Sequence, residues 1–97
     1  MVIEISPVFS TVAQELHLSE GDLVRQGVRA LLESQLLQIN AQILVFHGKY
    51  GVSSVYEMDA RYQSGALEEG DSWRDYQRLD HLEFERDRLY KLAEALA

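Results

Sequence analysis

A long stretch in the first half of the chain constrains the fold most, because apolar residues recur in it at helical spacing. The recurrence predicts one helix from about Glu20 to Phe46. The second half of this helix carries two apolar rows on different faces. One row is Leu32, Leu36, Ile39, Ile43 and Phe46, and the other is Leu37, Ala41 and Leu44. Since a helix with one neighbour needs only one apolar stripe, the two rows predict two neighbours.

We expect these two neighbours to be the last helix of the same chain and a second copy of the chain. A chain of 97 residues buries only a modest core by itself, which favours oligomerisation. We assign the row from Leu32 to Phe46 to the interface of a homodimer or higher homo-oligomer. The spacing does not distinguish which of the two rows faces the partner subunit.

Helix-boundary signals divide the N-terminal half of the chain. Residues 1–19 are expected to hold a short strand or extended arm, VIEIS, and then a first helix that starts at Ser6-Pro7. Ser19 is placed to cap the long helix, which is predicted over 20–47. The glycines of GKYG are predicted to end that helix.

The C-terminal half is predicted to hold two further helices. Ser54 and Gly65 bound a short helix over 53–64, and Asp71 or Ser72 caps a long one over 72–96. The whole sequence therefore predicts a single all-α domain. Its helical bundle has two long antiparallel helices, a short third helix and a short N-terminal strand or arm.

The chain is acidic, and the charge is unevenly distributed. The net charge is −7, of which residues 1–50 contribute −2 and residues 51–97 contribute −5. Such a surface disfavours a polyanion, because phosphate binding needs a local basic surface. A basic protein partner is favoured instead, since acidic residues steer its association.

Composition also limits the compartment and the chemistry. The absence of cysteine excludes a disulfide-stapled domain and thiolate metal sites. The first ten residues lack the basic region and following apolar run of a signal peptide. The longest apolar runs of the chain are too short to span a bilayer. A cytoplasmic location is therefore expected. His81 and Glu85 have a spacing that could share a metal, but no third ligand converges on them. We therefore expect no metal, no cofactor and no catalytic residues, and a protein that is not an enzyme.

Two groups of residues are candidate binding sites. Arg25 and Arg29 stand one helical turn apart and could contact phosphates or an acidic partner, although a solvated face, with Arg29 paired to Glu33, is the simpler interpretation. Aromatic and acidic residues of the C-terminal half could anchor a protein partner, because Tyr and Trp are enriched in interface hot spots. The candidates are Tyr62, Trp73, Tyr76, Asp80 and Glu83. The alternative is that the aromatic residues belong to the core and the acidic ones to a solvated helix.

The strand–helix–helix order of residues 1–36 has the outline of a ribbon–helix–helix DNA-binding domain, and LSEGDLVRQGVRALLE resembles the second helix of such repressors and antitoxins. The predicted strand nevertheless lacks Lys, Arg, Asn and Gln to contact base edges. Over residues 15 to 95, the pieces KYGVSS, ALEE followed by SW, and LDHLEFER resemble a family of small helical proteins. These are the antitoxin components of type II toxin–antitoxin modules in bacteria and archaea.

The resemblance implies a non-enzymatic protein that binds and neutralises a basic toxin by steric cover. A DNA-binding transcriptional regulator of ribbon–helix–helix or helix-turn-helix type is the alternative. A purely structural helical oligomer is a third interpretation.

Overall fold

A computed structural model describes residues 7–96, which form four helices and no strand. In chain order these are α1 (Pro7–Glu15), α2 (Glu20–Tyr50), α3 (Val55–Ser64) and α4 (Trp73–Ala95). The predicted all-α class is confirmed for these residues. The strand or arm predicted at VIEIS lies outside them. Among residues 7–96, no helix combines the length and hydropathy that a membrane crossing requires.

The start of α2 follows the signal in the sequence. Ser19 has extended backbone angles, and its hydroxyl accepts a hydrogen bond from the Asp22 N–H at 3.0 Å. One of the unsatisfied N–H groups of the first turn is thereby paired. The acidic residues Glu20 and Asp22 lie in the same turn, where the helix dipole favours negative charge.

The end of α2 differs from the prediction, because the helix continues through Gly48 to Tyr50. The chain leaves the helix at Gly51, whose φ of 64° is in the left-handed region. The Arg61 guanidinium donates hydrogen bonds to the carbonyl oxygens of Tyr50 at 2.6 Å and Gly51 at 2.7 Å. A helix tolerates an interior glycine, whereas here it ends where a left-handed glycine coincides with partners for the last carbonyls.

The boundaries of α3 match the predicted ones closely. The Ser54 hydroxyl accepts from the Glu57 N–H at 3.2 Å, and Gly65 ends the helix with φ 77°. The Glu57 carboxylate in turn accepts from both the N–H and the hydroxyl of Ser53, at 3.0 and 2.6 Å. These hydrogen bonds from Ser53 lower the pKa of Glu57.

Ser72 precedes α4 but does not cap it through its side chain. Its buried hydroxyl lies within 2.6 Å of the Glu68 carbonyl oxygen and 3.0 Å of the Glu69 carbonyl oxygen. The Tyr62 hydroxyl is 2.6 Å from the same Ser72 oxygen. The preceding loop already turns helically, since the Trp73 N–H donates to the Glu69 carbonyl. Ser72 therefore ties this loop to α3 instead of capping α4.

The two long helices run antiparallel. Asn40 of α2 is hydrogen-bonded to Tyr90 of α4 at 3.4 Å, and Lys49, further along α2, pairs with Asp75 near the start of α4 at 2.7 Å. The core lies between these helices and α3. Its buried residues are Ile43, Val52, Val55, Met58, Leu79 and Leu82.

The apolar row that the sequence analysis assigned to an interface between copies lies mainly in this core. Leu36 and Ile43 are buried, and Ile39 and Phe46 pack against the core cluster. Leu32 is half-buried. This corrects the assignment, because α4 is long enough to cover this row from within the same chain. The second row remains uncovered, since Leu37 and Leu44 are exposed.

The folded chain is elongated. It measures 60 × 27 × 22 Å and has a radius of gyration of 19.7 Å, whereas a compact domain of about 100 residues has a radius of about 13 Å. The elongation comes from α1 and residues 20–35 of α2, together called here the helical extension. Within residues 7–35, only Ala13 is buried.

Candidate protein-binding site

The outer face of α4 presents aromatic and acidic side chains together. Trp73, Asp80, Phe84 and Asp87 are separated by seven, four and three residues, which places them on one side of a helix. All four are exposed, and the Phe84 side chain is 65% exposed. An aromatic ring so exposed contributes little to the fold of the chain.

Tyr56 of α3 completes this surface. It is 83% exposed and lines a shallow depression of about 160 Å³ together with Asp80, Phe84 and Asp87. We call these four residues the acidic–aromatic patch. Val55 and Glu83 form the rest of the lining, so no basic side chain lies in the depression.

Glu83 holds the two helices of the patch in register. Its carboxylate accepts a hydrogen bond from the Val55 N–H, at the first turn of α3, at 2.8 Å. The His47 Nε2 atom is 3.7 Å from the same carboxylate oxygen. Glu83 is itself buried. The predicted partner-binding role is therefore replaced by a positioning role, because the carboxylate faces the junction of α2, α3 and α4.

The two aspartates of the patch differ in their surroundings. Asp80 forms no hydrogen bond or ion pair with any of residues 7–96. Asp87 accepts a hydrogen bond from the adjacent Arg86 at 3.1 Å, and such an exposed pair contributes little energy. Burial raises the pKa of Tyr76, and the charges of Asp59 and Asp80 raise it further. The patch therefore holds two exposed carboxylates, and that of Asp80 has no ion-pair partner among residues 7–96.

The predicted aromatic anchors lie beside the patch and divide into exposed and half-buried residues. Trp73 stacks on Tyr76 with ring centroids 5.1 Å apart, and Tyr62 meets Tyr76 edge-on at 5.5 Å. Tyr62 and Tyr76 pack against the core, whereas Trp73 remains 43% exposed. Of the five predicted partner-binding residues, only Trp73 and Asp80 are presented on the outer face.

Tyr56, Phe84 and Asp87 were not among the predicted binding residues. The signal for Phe84 was present in the sequence, since Phe84 lies off the apolar stripe of α4. Tyr56 carries no such signal, because its exposure depends on how α3 docks against α4.

The candidate nucleic-acid residues lie on the helical extension. Arg25 and Arg29 are exposed and form no ion pair with a described residue. The expected pairing of Arg29 with Glu33 is not formed. Glu20 and Asp22 lie on the same extension, so the basic residues do not form a continuous basic surface.

The spacing of His81 and Glu85 does not lead to a metal centre in the described part of the chain. Glu85 instead accepts a hydrogen bond from Arg88 at 2.5 Å. Residues 7–96 hold no group of three or more His, Cys, Asp or Glu side chains arranged to bind a metal ion.

Comparison with known proteins identifies the family of this chain. No curated protein and no solved structure matches it. A family model covers all of residues 1–97. The chain therefore belongs to the family described as the Uncharacterized protein MJ0235 family.

Proposed function

We propose that this protein is a non-enzymatic binding module of antitoxin type, which acts in the cytoplasm and neutralises a basic partner protein by steric cover. The observation that carries the proposal is the exposed Phe84 ring between Asp80 and Asp87, with Tyr56 beside it. Aromatic residues such as Tyr56 and Phe84 are enriched at protein interfaces, whereas a solvated helix face rarely exposes two of them together.

The patch suits a Lys or Arg side chain of the partner. A cation over the face of an aromatic ring is attracted by about 0.5 to 1 kcal/mol at an exposed site and by more once it is desolvated. A guanidinium stacked on Phe84 could also donate hydrogen bonds to Asp80 or Asp87. Arginine fits this combination best, because its planar group stacks and donates at the same time.

The patch is also held rigidly before any partner arrives. Met58 of α3 and Leu79 of α4 are fully buried in one core cluster, and the Glu83 carboxylate of α4 accepts a hydrogen bond from the Val55 N–H at the start of α3, so the two helices that carry the patch are joined. A preorganised surface loses less conformational entropy on binding, so more of the contact energy appears as affinity.

Charge supports the same type of partner. Residues 51–97, which include the patch, carry a net charge of −5. A basic partner would be attracted over distances of about 10 Å at moderate ionic strength and would associate faster at low salt. Steric cover of a basic active site on the partner requires no chemistry from this chain. The aromatic and aspartate side chains of the patch need only bind.

The proposal is tested by co-expression with the product of the adjacent reading frame. We expect the two proteins to co-purify and their affinity to fall with increasing salt. Phe84→Ala should weaken the complex by about 30-fold, the loss typical of a hot-spot residue of about 2 kcal/mol. Asp80→Asn combined with Asp87→Asn should reduce the salt dependence, since it removes two of the negative charges nearest to the partner.

Leu44→Ala is the matched control, because Leu44 is 66% exposed but lies on α2 and outside the patch. It should leave the affinity unchanged. The proposal is overturned if the adjacent product does not bind, or if the Phe84 and Leu44 variants bind equally well.

A DNA-binding regulator is the second candidate function. It is supported by Arg25 and Arg29, which are exposed, unpaired within residues 7–96 and one turn apart on α2. Binding to the DNA upstream of the gene is tested by gel retardation at low salt, where phosphate contacts are strongest. Arg25→Ala with Arg29→Ala should abolish retardation, and a wild-type protein that gives none removes this candidate.

A further inference from the structure

An apolar groove runs between α1 and the first half of α2, at the end of the molecule opposite α3. Its volume is about 460 Å³. The side chains that line it include Phe9, Val12, Leu23, Val24, Val28 and Leu31. Among the lining residues that the structure describes, Glu20 is the one with a charge.

The apolar side chains of this groove are more exposed than is expected for two helices whose surface faces water. Phe9 is 53% exposed, Val24 51% and Leu31 58%. The nine-residue α1 is shorter than the about 12 to 15 residues at which an isolated helix is even marginally stable in water, so it depends on tertiary packing. The chain itself supplies little packing here, since Ala13 is the only buried residue of 7–35.

We propose that a second copy of the chain covers this groove, with the helical extensions of the two chains packed groove to groove about a twofold axis. The interface differs from the one that the sequence analysis assigned, which lies in the core of the chain. It is also separate from the acidic–aromatic patch and leaves that patch free.

The need for a permanent cover favours a second copy over a different protein. A helical extension with almost no core of its own is stable only while the cover is present, so the cover must be available whenever the chain folds. A second copy meets this condition at every concentration above the dissociation constant of the dimer.

The charges beside the groove favour the same occupant. The helical extension carries exposed residues of both signs, with Arg25 and Arg29 among Glu20, Asp22 and Glu33. A surface of mixed sign can be complementary to its own copy in an isologous pair. The acidic–aromatic patch lacks basic side chains and would repel its own copy.

The apolar area is also sufficient for a dimer. The exposed large apolar residues of the extension are Val8, Phe9, Val12, Val24, Val28 and Leu31. Taking about 150 to 200 Å² for a fully exposed residue of this size, their exposed fractions amount to on the order of 500 Å² per chain. Two copies could therefore bury on the order of 1,000 Å² of apolar surface, which is about the smallest area expected of a specific interface.

The solution mass tests the proposal. We expect the full chain to have twice the chain mass of 11.1 kDa by light scattering at concentrations from about 5 to 200 µM, the range in which an obligate dimer persists. Val28→Glu places a carboxylate in the groove and should raise the dissociation constant by at least about 100-fold. Leu44→Glu, at an exposed apolar position outside the groove, should leave the mass unchanged.

Spin labels locate the interface without changing an apolar residue of the groove. Since the chain has no cysteine, a single label at Arg29→Cys or at Glu68→Cys reports only distances between two copies. The separation should be shorter at position 29, beside the groove, than at position 68, near the other end of α2.

Three results would overturn the proposal. The first is a wild-type chain that is monomeric throughout the concentration range. The second is a dimer that Leu44→Glu dissociates and Val28→Glu does not. The third is a shorter distance between the spin labels at position 68 than at position 29. None of these results bears on the test of the acidic–aromatic patch.

Discussion

The two glycines at the end of α2 should respond to the same substitution with opposite signs. Gly48 lies within the helix, and a Cβ built there has no neighbour within 4 Å. Gly51 follows the helix with φ 64°, and a Cβ there lies 3.7 Å from an Arg61 nitrogen, an ordinary contact distance. The difference between the two sites is therefore in the backbone and not in the available space.

The expected magnitudes follow from these conformations. Gly48→Ala should raise the free energy of unfolding by about 0.5 kcal/mol, because alanine favours the helix and restricts the unfolded chain. Gly51→Ala should lower it by about 1 kcal/mol, since a left-handed residue with a Cβ costs about 1 to 2 kcal/mol and part of this is offset in the unfolded state. At about 4 to 8 °C per kcal/mol for a domain of this size, the two variants should differ in Tm by about 6 to 12 °C.

Urea and thermal unfolding followed by circular dichroism at 222 nm would measure both values, at one fixed protein concentration so that any association is held constant. The reasoning is refuted if Gly48→Ala destabilises the protein by more than Gly51→Ala. In that case α2 would end at Gly48, as the sequence alone suggests.

Substitutions at two further residues, Glu83 and Asp75, test the contacts that join the helices. Glu83→Ala should lower the free energy of unfolding by about 2 to 3 kcal/mol, because the buried Val55 N–H loses its acceptor. Glu83→Gln should lower it by less than half as much. Urea unfolding measures both, and the reasoning is contradicted if Glu83→Ala destabilises the protein no more than the exposed control Asp80→Ala. The hydrogen bond from Lys49 lowers the pKa of Asp75, so the folded state favours the ionised carboxylate. This stabilisation is present above the ordinary pKa of about 3.9 and is lost as the pH falls through the lower pKa of the folded state. Asp75→Asn should therefore lower Tm at pH 7 and have a diminishing effect below about pH 4, and a Tm difference independent of pH would rule out this linkage.

The local signals of the sequence predicted the helices well because they act within one or two turns. The Ser19 and Ser54 caps and the Gly65 end depend on side-chain and backbone groups three or four residues apart, and all three are found. Gly48 led to a predicted end of α2 that is too early, since a glycine is accepted in the interior of a helix when the residues around it keep the helical hydrogen bonds.

The candidate site was only partly predictable, since exposure depends on how the helices dock. Trp73 and Asp80 lie on the outer face, but Glu83 turns inward because the start of α3 offers it a backbone N–H. The sequence around Glu83, a charged helix, contains no local signal that its carboxylate will accept a hydrogen bond from the Val55 N–H.

The sequence by itself determined that the chain is helical, where most of its helices begin and end, and that α2 has more than one apolar row, because these properties follow from local propensity and periodicity. Only the tertiary structure decided which row is covered, since both rows are apolar and the choice depends on where α4 packs. It also revealed the uncovered groove of the helical extension. Whether a stripe is core or surface is a property of the neighbours that reach it, and those neighbours are distant in the sequence.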